Sequence, residues 1–150
     1  MKSAEEIRRV LAEEGVFVST SVGVSMWPML RSRKDTIVIE PLKGRLKKFD
    51  VPLYYRNDKL ILHRVIRVRP EGYDIRGDNC IGTEKNVGED CILGVLAGFW
   101  RGEKKVELSS FSYRFYVRFW HYAFPVRRFL KKMRAYAKAA WVRLGRMVKK

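Results

Sequence analysis

Between residues 16 and 108 the chain is cut into short runs of β-branched and aromatic residues separated by turn formers, a texture that restricts this region to a β-rich core. The runs lie at 16–18, 36–40, 50–56, 60–69, 73–76, 91–100 and 105–108. Asn57-Asp58 and Pro70-Glu71-Gly72 supply hairpin chemistry between successive runs, so an antiparallel meander is expected. The run 91–100 is uncharged and rich in Gly, Val, Ile and Leu, and it reads as a buried strand.

Helical signals flank this core. Ser3 and Glu6 form a capping box, Ile7, Val10 and Leu11 an apolar stripe, and Gly15 a stop signal, which predicts a short opening helix. From Ser109 onward acidic residues vanish while basic and aromatic residues crowd together. Pro125 divides this tail. Past it Val126, Phe129, Leu130, Met133, Ala137, Ala140, Trp141, Leu144 and Val148 recur at three- and four-residue steps. Arg127, Arg128, Lys131, Lys132, Lys138, Arg143, Arg146 and Lys149 fall on the other face, so residues 126–150 read as a basic amphipathic helix. Residues 111–124 read as helical too, with Phe111, Phe115, Phe119 and Tyr122 on one side. The expected organisation is a domain over residues 1–108 and a helical tail over 109–150.

A chain of 150 residues suits one core with terminal decoration. Lys and Arg number 32 against 16 Asp and Glu, and the net charge of +16 predicts a polyanionic partner: nucleic acid, an acidic protein or an anionic lipid surface. Cys80 and Cys91 have no metal-ligand spacing, so reduced thiols are expected, with neither a metal nor another cofactor. The charged N-terminus has no signal-peptide pattern, and no run approaches the roughly 18 apolar residues of a membrane span. No transmembrane segment is expected.

Three places could carry chemistry. Ser25 lies in Gly23-Val24-Ser25-Met26-Trp27-Pro28-Met29-Leu30, where glycine permits unusual backbone and proline stiffens the turn presenting the hydroxyl. His63 sits inside an apolar run that places it in a strand, and imidazole is the side chain best suited to accept a proton near neutral pH. Arg76-Gly77-Asp78-Asn79-Cys80 is a polar turn with Glu84, Glu89 and Asp90 downstream. A carboxylate among these could fix the histidine tautomer and stabilise its imidazolium.

In this order the three places resemble the type I signal peptidases and the related LexA-type self-cleaving peptidases. Residues 23–30 resemble the nucleophile box, small-x-Ser-Met-x-Pro-x-Leu, and Phe49-Asp50-Val51-Pro52-Leu53-Tyr54-Tyr55-Arg56 resembles the box written Gly-Asp-Ile-Val-Val-Phe-Arg. His63-Arg64-Val65-Ile66 is similar to the base box of the endoplasmic-reticulum and archaeal enzymes, where His replaces a bacterial Lys. Gly77-Asp78-Asn79 resembles the Gly-Asp-Asn-Asn box that follows.

The resemblance implies a mainly β signal-peptidase/LexA-like fold and a serine endopeptidase that cleaves a signal or leader peptide. Ser25 would attack the scissile carbonyl, His63 would take its proton, and the Ser25 amide would help hold the oxyanion. Met26 and Pro28, beside the nucleophile, would contact substrate. Asp78 would support the site, and Glu84 falls where these enzymes carry the Asp partner of the histidine, with Asp78, Glu89 and Asp90 as alternatives. Three residues depart from the pattern: Glu84 stands for that Asp, Cys80 for the second Asn, and Gly23 for a residue that is often Ser. A catalytically silent relative, binding a membrane or an acidic partner, is the competing expectation.

The tail is expected to bring the protein to the cytoplasmic face of a membrane as a peripheral protein. Trp120, Phe129 and Trp141 suit the headgroup region and Lys131 and Lys132 suit anionic lipid. Packing of the tail on the β core is the competing expectation. Nucleic acid ranks below lipid, because no helix-turn-helix, zinc-finger or RNP signature accompanies the charge.

Overall fold

A computed structural model of the chain describes residues 3–147, the side chains of 140 and 142–147 excepted. Ala140, Leu144 and Val148 of the expected apolar face, and Arg143, Arg146 and Lys149 of the basic face, therefore lie outside the described side chains. The chain is mainly β, with a helix before the strands and helices after them. It divides into two compact units, Met1–Arg114 and Phe115–Lys150.

In the first unit, α1 (Ala4–Glu14) forms as its capping signals predict. The Ser3 hydroxyl accepts from the Glu6 amide, the Glu6 carboxylate accepts from the Ser3 amide, and Gly15 ends the helix at φ 70°. Such a cap contributes about 1 kcal/mol. Ile7 and Leu11 are the buried face.

The strands are β1 (Phe17–Thr20), β2 (Asp35–Glu40), β3 (Pro52–Arg56), β4 (Lys59–Leu62), β5 (Arg64–Arg69), β6 (Gly72–Arg76), β7 (Glu84–Val87), β8 (Ile92–Arg101) and β9 (Lys104–Glu107). They make two antiparallel sheets. The larger runs β1-β2-β8-β3-β4, with β9 pairing the far end of β8, and the smaller runs β5-β6-β7. β8 serves as the spine: β2 runs along one edge, while β3 and β9 take successive stretches of the other. In β2 the burial alternates strictly, with Asp35, Ile37 and Ile39 inward.

Asn57 and Asp58 both adopt positive φ, 51° and 58°, and join β3 to β4 as the hairpin expected there. The run 60–69, expected as one strand, is two. The chain leaves the larger sheet after Leu62 and enters the smaller one at Arg64, so His63 lies at the crossover and not within a strand. Reciprocal bonds hold that crossover, Phe49 N–H to Val65 O at 2.8 Å and Val65 N–H to Asp50 O at 2.8 Å. Between the sheets Tyr54 and Ile92 pack with Val65, Tyr73, Ile75, Val87 and Leu46. This core fixes where both sheets meet His63.

The tail contains α2 (Phe111–Tyr122) and α3 (Phe124–Met147). Helix α3 begins before Pro125, because proline fits the first turn of a helix, where its missing N–H costs nothing. No helix among the described residues is long and apolar enough to cross a membrane.

Candidate active site

Ser25 stands on a tight turn inside the long connection between β1 and β2. Within the turn the Trp27 amide donates to Val24 O at 3.2 Å and the Leu30 amide to Met26 O at 2.9 Å. The base of the connection is closed by Ser21 N–H to Asp35 O at 2.9 Å and Arg33 N–H to Ser21 O at 2.7 Å. Asp35, wholly buried, accepts from the Arg31 amide at 2.9 Å and from its guanidinium at 2.8 Å. Gly23 has φ 93°, with nothing within 4 Å of where a Cβ would stand. Its glycine answers a backbone conformation and not a close approach, and a serine at that position would be strained.

The 77–80 segment docks on this turn. The Asn79 amide donates to Ser25 O at 2.7 Å and its side chain to Val24 O at 3.0 Å. Gly77 lies where the parts converge: a Cβ there would sit 2.7 Å from the main-chain carbonyl oxygen of Ser25, 2.8 Å from Cys80 Sγ and 2.9 Å from His63 Nε2. Ser25 and His63 thus flank one glycine, and both line one cavity.

The other ring nitrogen faces the opposite way. His63 Nδ1 is 3.3 Å from Glu84 Oε1 and 3.2 Å from the Tyr54 hydroxyl, which itself donates to Glu84 Oε1 at 2.6 Å. Arg56 Nη1 stands 3.7 Å from Glu84 Oε2. An Nδ1–H directed at Glu84 leaves the Nε2 lone pair on the side of Gly77 and Ser25. Burial lowers the His63 pKa, against the charge and hydrogen bond of Glu84 and the charge of Asp78, so the imidazole rests neutral near pH 7. Burial, then the hydrogen bond and charge of Glu84, raise the Tyr54 phenol far above its ordinary range, and Tyr54 remains a donor.

Of the alternative carboxylates, Asp78 is committed elsewhere. It forms a buried two-pronged pair with Arg64, Nε to Oδ1 and Nη2 to Oδ2 each at 2.8 Å. Arg64 also donates to Phe49 O at 3.1 Å and to the Tyr113 hydroxyl at 3.0 Å. Burial alone would lower the Arg64 pKa, but the charge and hydrogen bonds of Asp78 outweigh it and the net shift is upward. Because Arg64 follows His63 and Asp78 follows Gly77, this pair rivets together the segment that presents the imidazole and the one that docks on the Ser25 turn. Glu89 accepts from the Tyr73 hydroxyl at 2.7 Å and pairs with Arg45 at 3.2 Å, and Asp90 neighbours the Cys91 thiol at 3.8 Å. Glu84 is the carboxylate that meets His63.

The cavity has a volume of about 500 Å³. Its walls are β1 with Ser21 to Gly23 on one side and β4 with His63 on the other, over a floor of Ile7, Met26, Leu30, Ile37 and Leu53. Strands β1 and β4 are the two ends of the larger sheet's pairing order, and both border this groove. Met26 faces this cavity. Pro28, expected to contact substrate, does not line it; the turn carries Pro28 and Met29 to the side where Arg101 donates to Met29 O at 2.6 Å and Arg64 reaches Met29 Sδ at 2.8 Å.

Two contributors escaped the sequence reading, Tyr54 and Arg64. Each stands inside a box already noticed, but nothing in the spacing distinguishes a core tyrosine from one whose hydroxyl reaches a carboxylate. In the tail, Phe129, Lys132 and Trp141 are exposed and Lys131 is partly so, whereas Trp120 is half-buried with Arg127 stacked on its ring at 3.7 Å. No family model matches the chain, and no curated protein matches its sequence.

Proposed function

We propose that the protein is a serine endopeptidase of the signal-peptidase type, with the signal-peptidase/LexA-like fold, acting through Ser25 and His63. The observation that carries this reading is the two-sided setting of His63: Glu84 on Nδ1, and on the Nε2 side the glycine and cavity it shares with Ser25. A neutral imidazole so placed takes the Ser25 proton as the oxygen attacks a carbonyl, and the imidazolium is held by Glu84. The amide of Ser25 steadies the oxyanion, and His63 returns the proton to the departing amine. Glu84 serves where the resembling enzymes use Asp, and Tyr54 fixes the longer side chain.

The groove favours an extended peptide. Two sheet edges offer backbone hydrogen bonds on either side of a single strand, and the apolar floor takes small uncharged side chains near the cleaved bond. The substrate class is therefore a signal or leader peptide in extended conformation. Peripheral association of the basic tail with a membrane, on its cytoplasmic face, would bring the enzyme to such substrates.

The test is covalent labelling by a serine-directed acyl probe. Labelling at Ser25 is expected in the wild-type protein, absent in Ser25→Ala and strongly reduced in His63→Ala, with cleavage of a leader-bearing precursor following the same order. A folded wild-type chain that neither labels nor cleaves would leave the groove as the peptide- or partner-binding surface of a silent relative.

A further inference from the structure

We infer that the exposed face shared by α2 and α3 is a docking surface for an anionic lipid leaflet, on which the two helices lie flat. This rests on the peripheral association proposed above and adds the face, its continuity and the lipid charge it needs.

The apolar side is one stripe. Phe115, Phe119, Tyr122, Val126, Phe129 and Met133 follow at steps of three or four residues, which keeps them on one side of a helix, and each is at least half exposed, from 50% at Met133 to 70% at Tyr122. Exposed apolar surface this contiguous marks an interaction site.

The stripe crosses the junction between the helices without losing register. The Ala123 amide donates to Phe119 O at 2.9 Å and the Arg127 amide to Ala123 O at 3.0 Å, so helical bonding continues past the break. Arg127 closes the junction as a clasp, its guanidinium 3.7 Å above the Trp120 ring and donating to Trp120 O at 3.0 Å. At about 1.5 Å per residue the combined element reaches roughly 55 Å, long enough to rest along a surface.

Charge selects the occupant. From Ser109 to the last residue there are 12 Lys and Arg and no Asp or Glu. A second copy of the chain would bring the same positive charge to the contact. Nucleic acid would satisfy the charge, and single-stranded bases would stack on Phe119 and Phe129, but it offers no hydrocarbon layer for the aliphatic Val126 and Met133 of the same stripe. An anionic leaflet offers both, phosphate at the depth of the basic side chains and hydrocarbon below.

The experiment is flotation of the full chain with vesicles of phosphatidylcholine alone and of phosphatidylcholine mixed with phosphatidylglycerol. Recovery with the anionic vesicles is expected to exceed that with neutral ones by roughly tenfold or more at low salt, and to fall as salt rises. Phe119→Ser/Phe129→Ser and Arg128→Glu/Lys132→Glu should each lower recovery by at least about tenfold, with circular dichroism unchanged. Equal recovery on both vesicle types, or variants that float like wild type, would overturn the assignment of face and charge. A wild-type chain that floats with neither but is retained by single-stranded RNA, with the same sensitivity to the variants, would overturn it in favour of nucleic acid. Acyl labelling of Ser25 in vesicle-free solution is read separately, so loss of lipid binding and loss of the peptidase reading remain distinguishable.

Discussion

The hydroxyl of Tyr54 donates a 2.6 Å hydrogen bond to Glu84 Oε1, the oxygen that also faces His63 Nδ1 at 3.3 Å. One carboxylate oxygen thereby serves both the tyrosine and the histidine. Tyr54→Phe keeps the ring in the core and removes only the donor. We expect kcat to fall by about tenfold with KM little changed, the equivalent of one buried hydrogen bond. Glu84→Asp alone should fall further, because the shortened side chain reaches neither partner; an unaltered kcat in both variants would remove Glu84 from the proposed mechanism.

The acid limb of the pH profile tests the state of His63. Burial holds its pKa below the ordinary 6.5 despite Glu84 and Asp78, so the active, neutral imidazole survives to lower pH than a free histidine would allow. The limb in kcat/KM should therefore fall below 6.5. Because Glu84 raises the His63 pKa, Glu84→Gln should move the limb to still lower pH while reducing kcat by about 10³-fold or more. The same depression has a stability consequence of definite sign. The unfolded chain binds the proton more readily, so this contribution is present above the unfolded pKa and is lost as pH falls through the folded one.

Gly77→Ala adds one methyl group where Ser25 O, Cys80 Sγ and His63 Nε2 would all lie within 3 Å of it. The Ser25 turn, the Cys80 side chain and the imidazole must all yield to it. Activity is expected to drop by about 10²-fold or more, as for a misplacement of about 1 Å, while far-ultraviolet circular dichroism stays native. Full activity in this variant would mean that the catalytic step does not pass through the space beside Gly77.

Asp78→Ala should act on folding before it acts on catalysis. It leaves the Arg64 guanidinium buried without its carboxylate, a loss of about 3–5 kcal/mol. Urea denaturation should show the midpoint shifted accordingly. Asp78→Asn, which keeps the shape and part of the hydrogen bonding, should lose less.

Sequence made the local signals legible and left the meeting of distant segments obscure. Ser3, Glu6 and Gly15 specify α1, and Asn57-Asp58 specify the β3–β4 turn, because caps and tight turns depend on a few adjacent residues. Ser25 and His63 stand in recognisable boxes, and Glu84 follows only from the family resemblance. The break at His63 was not visible, since apolar periodicity continues through it and does not say with which sheet a residue pairs. Strand β7 was missed because Glu84-Lys85-Asn86-Val87 has no apolar alternation; its pairing with β6 makes it a strand. The commitment of Asp78 to Arg64 depends on a fold that brings together residues 14 apart in sequence, which composition cannot report.

Strands β1 and β4, at the two ends of the larger sheet's pairing order, border one groove. A sheet end turned to solvent invites another molecule's sheet to stack onto it, whereas on the proposed reading a slot between two such ends would admit one bare strand and turn away anything that already carries neighbours. A peptidase of the proposed kind would thereby spare segments inside a finished domain and receive unstructured stretches, before any side chain near the cleaved bond is inspected.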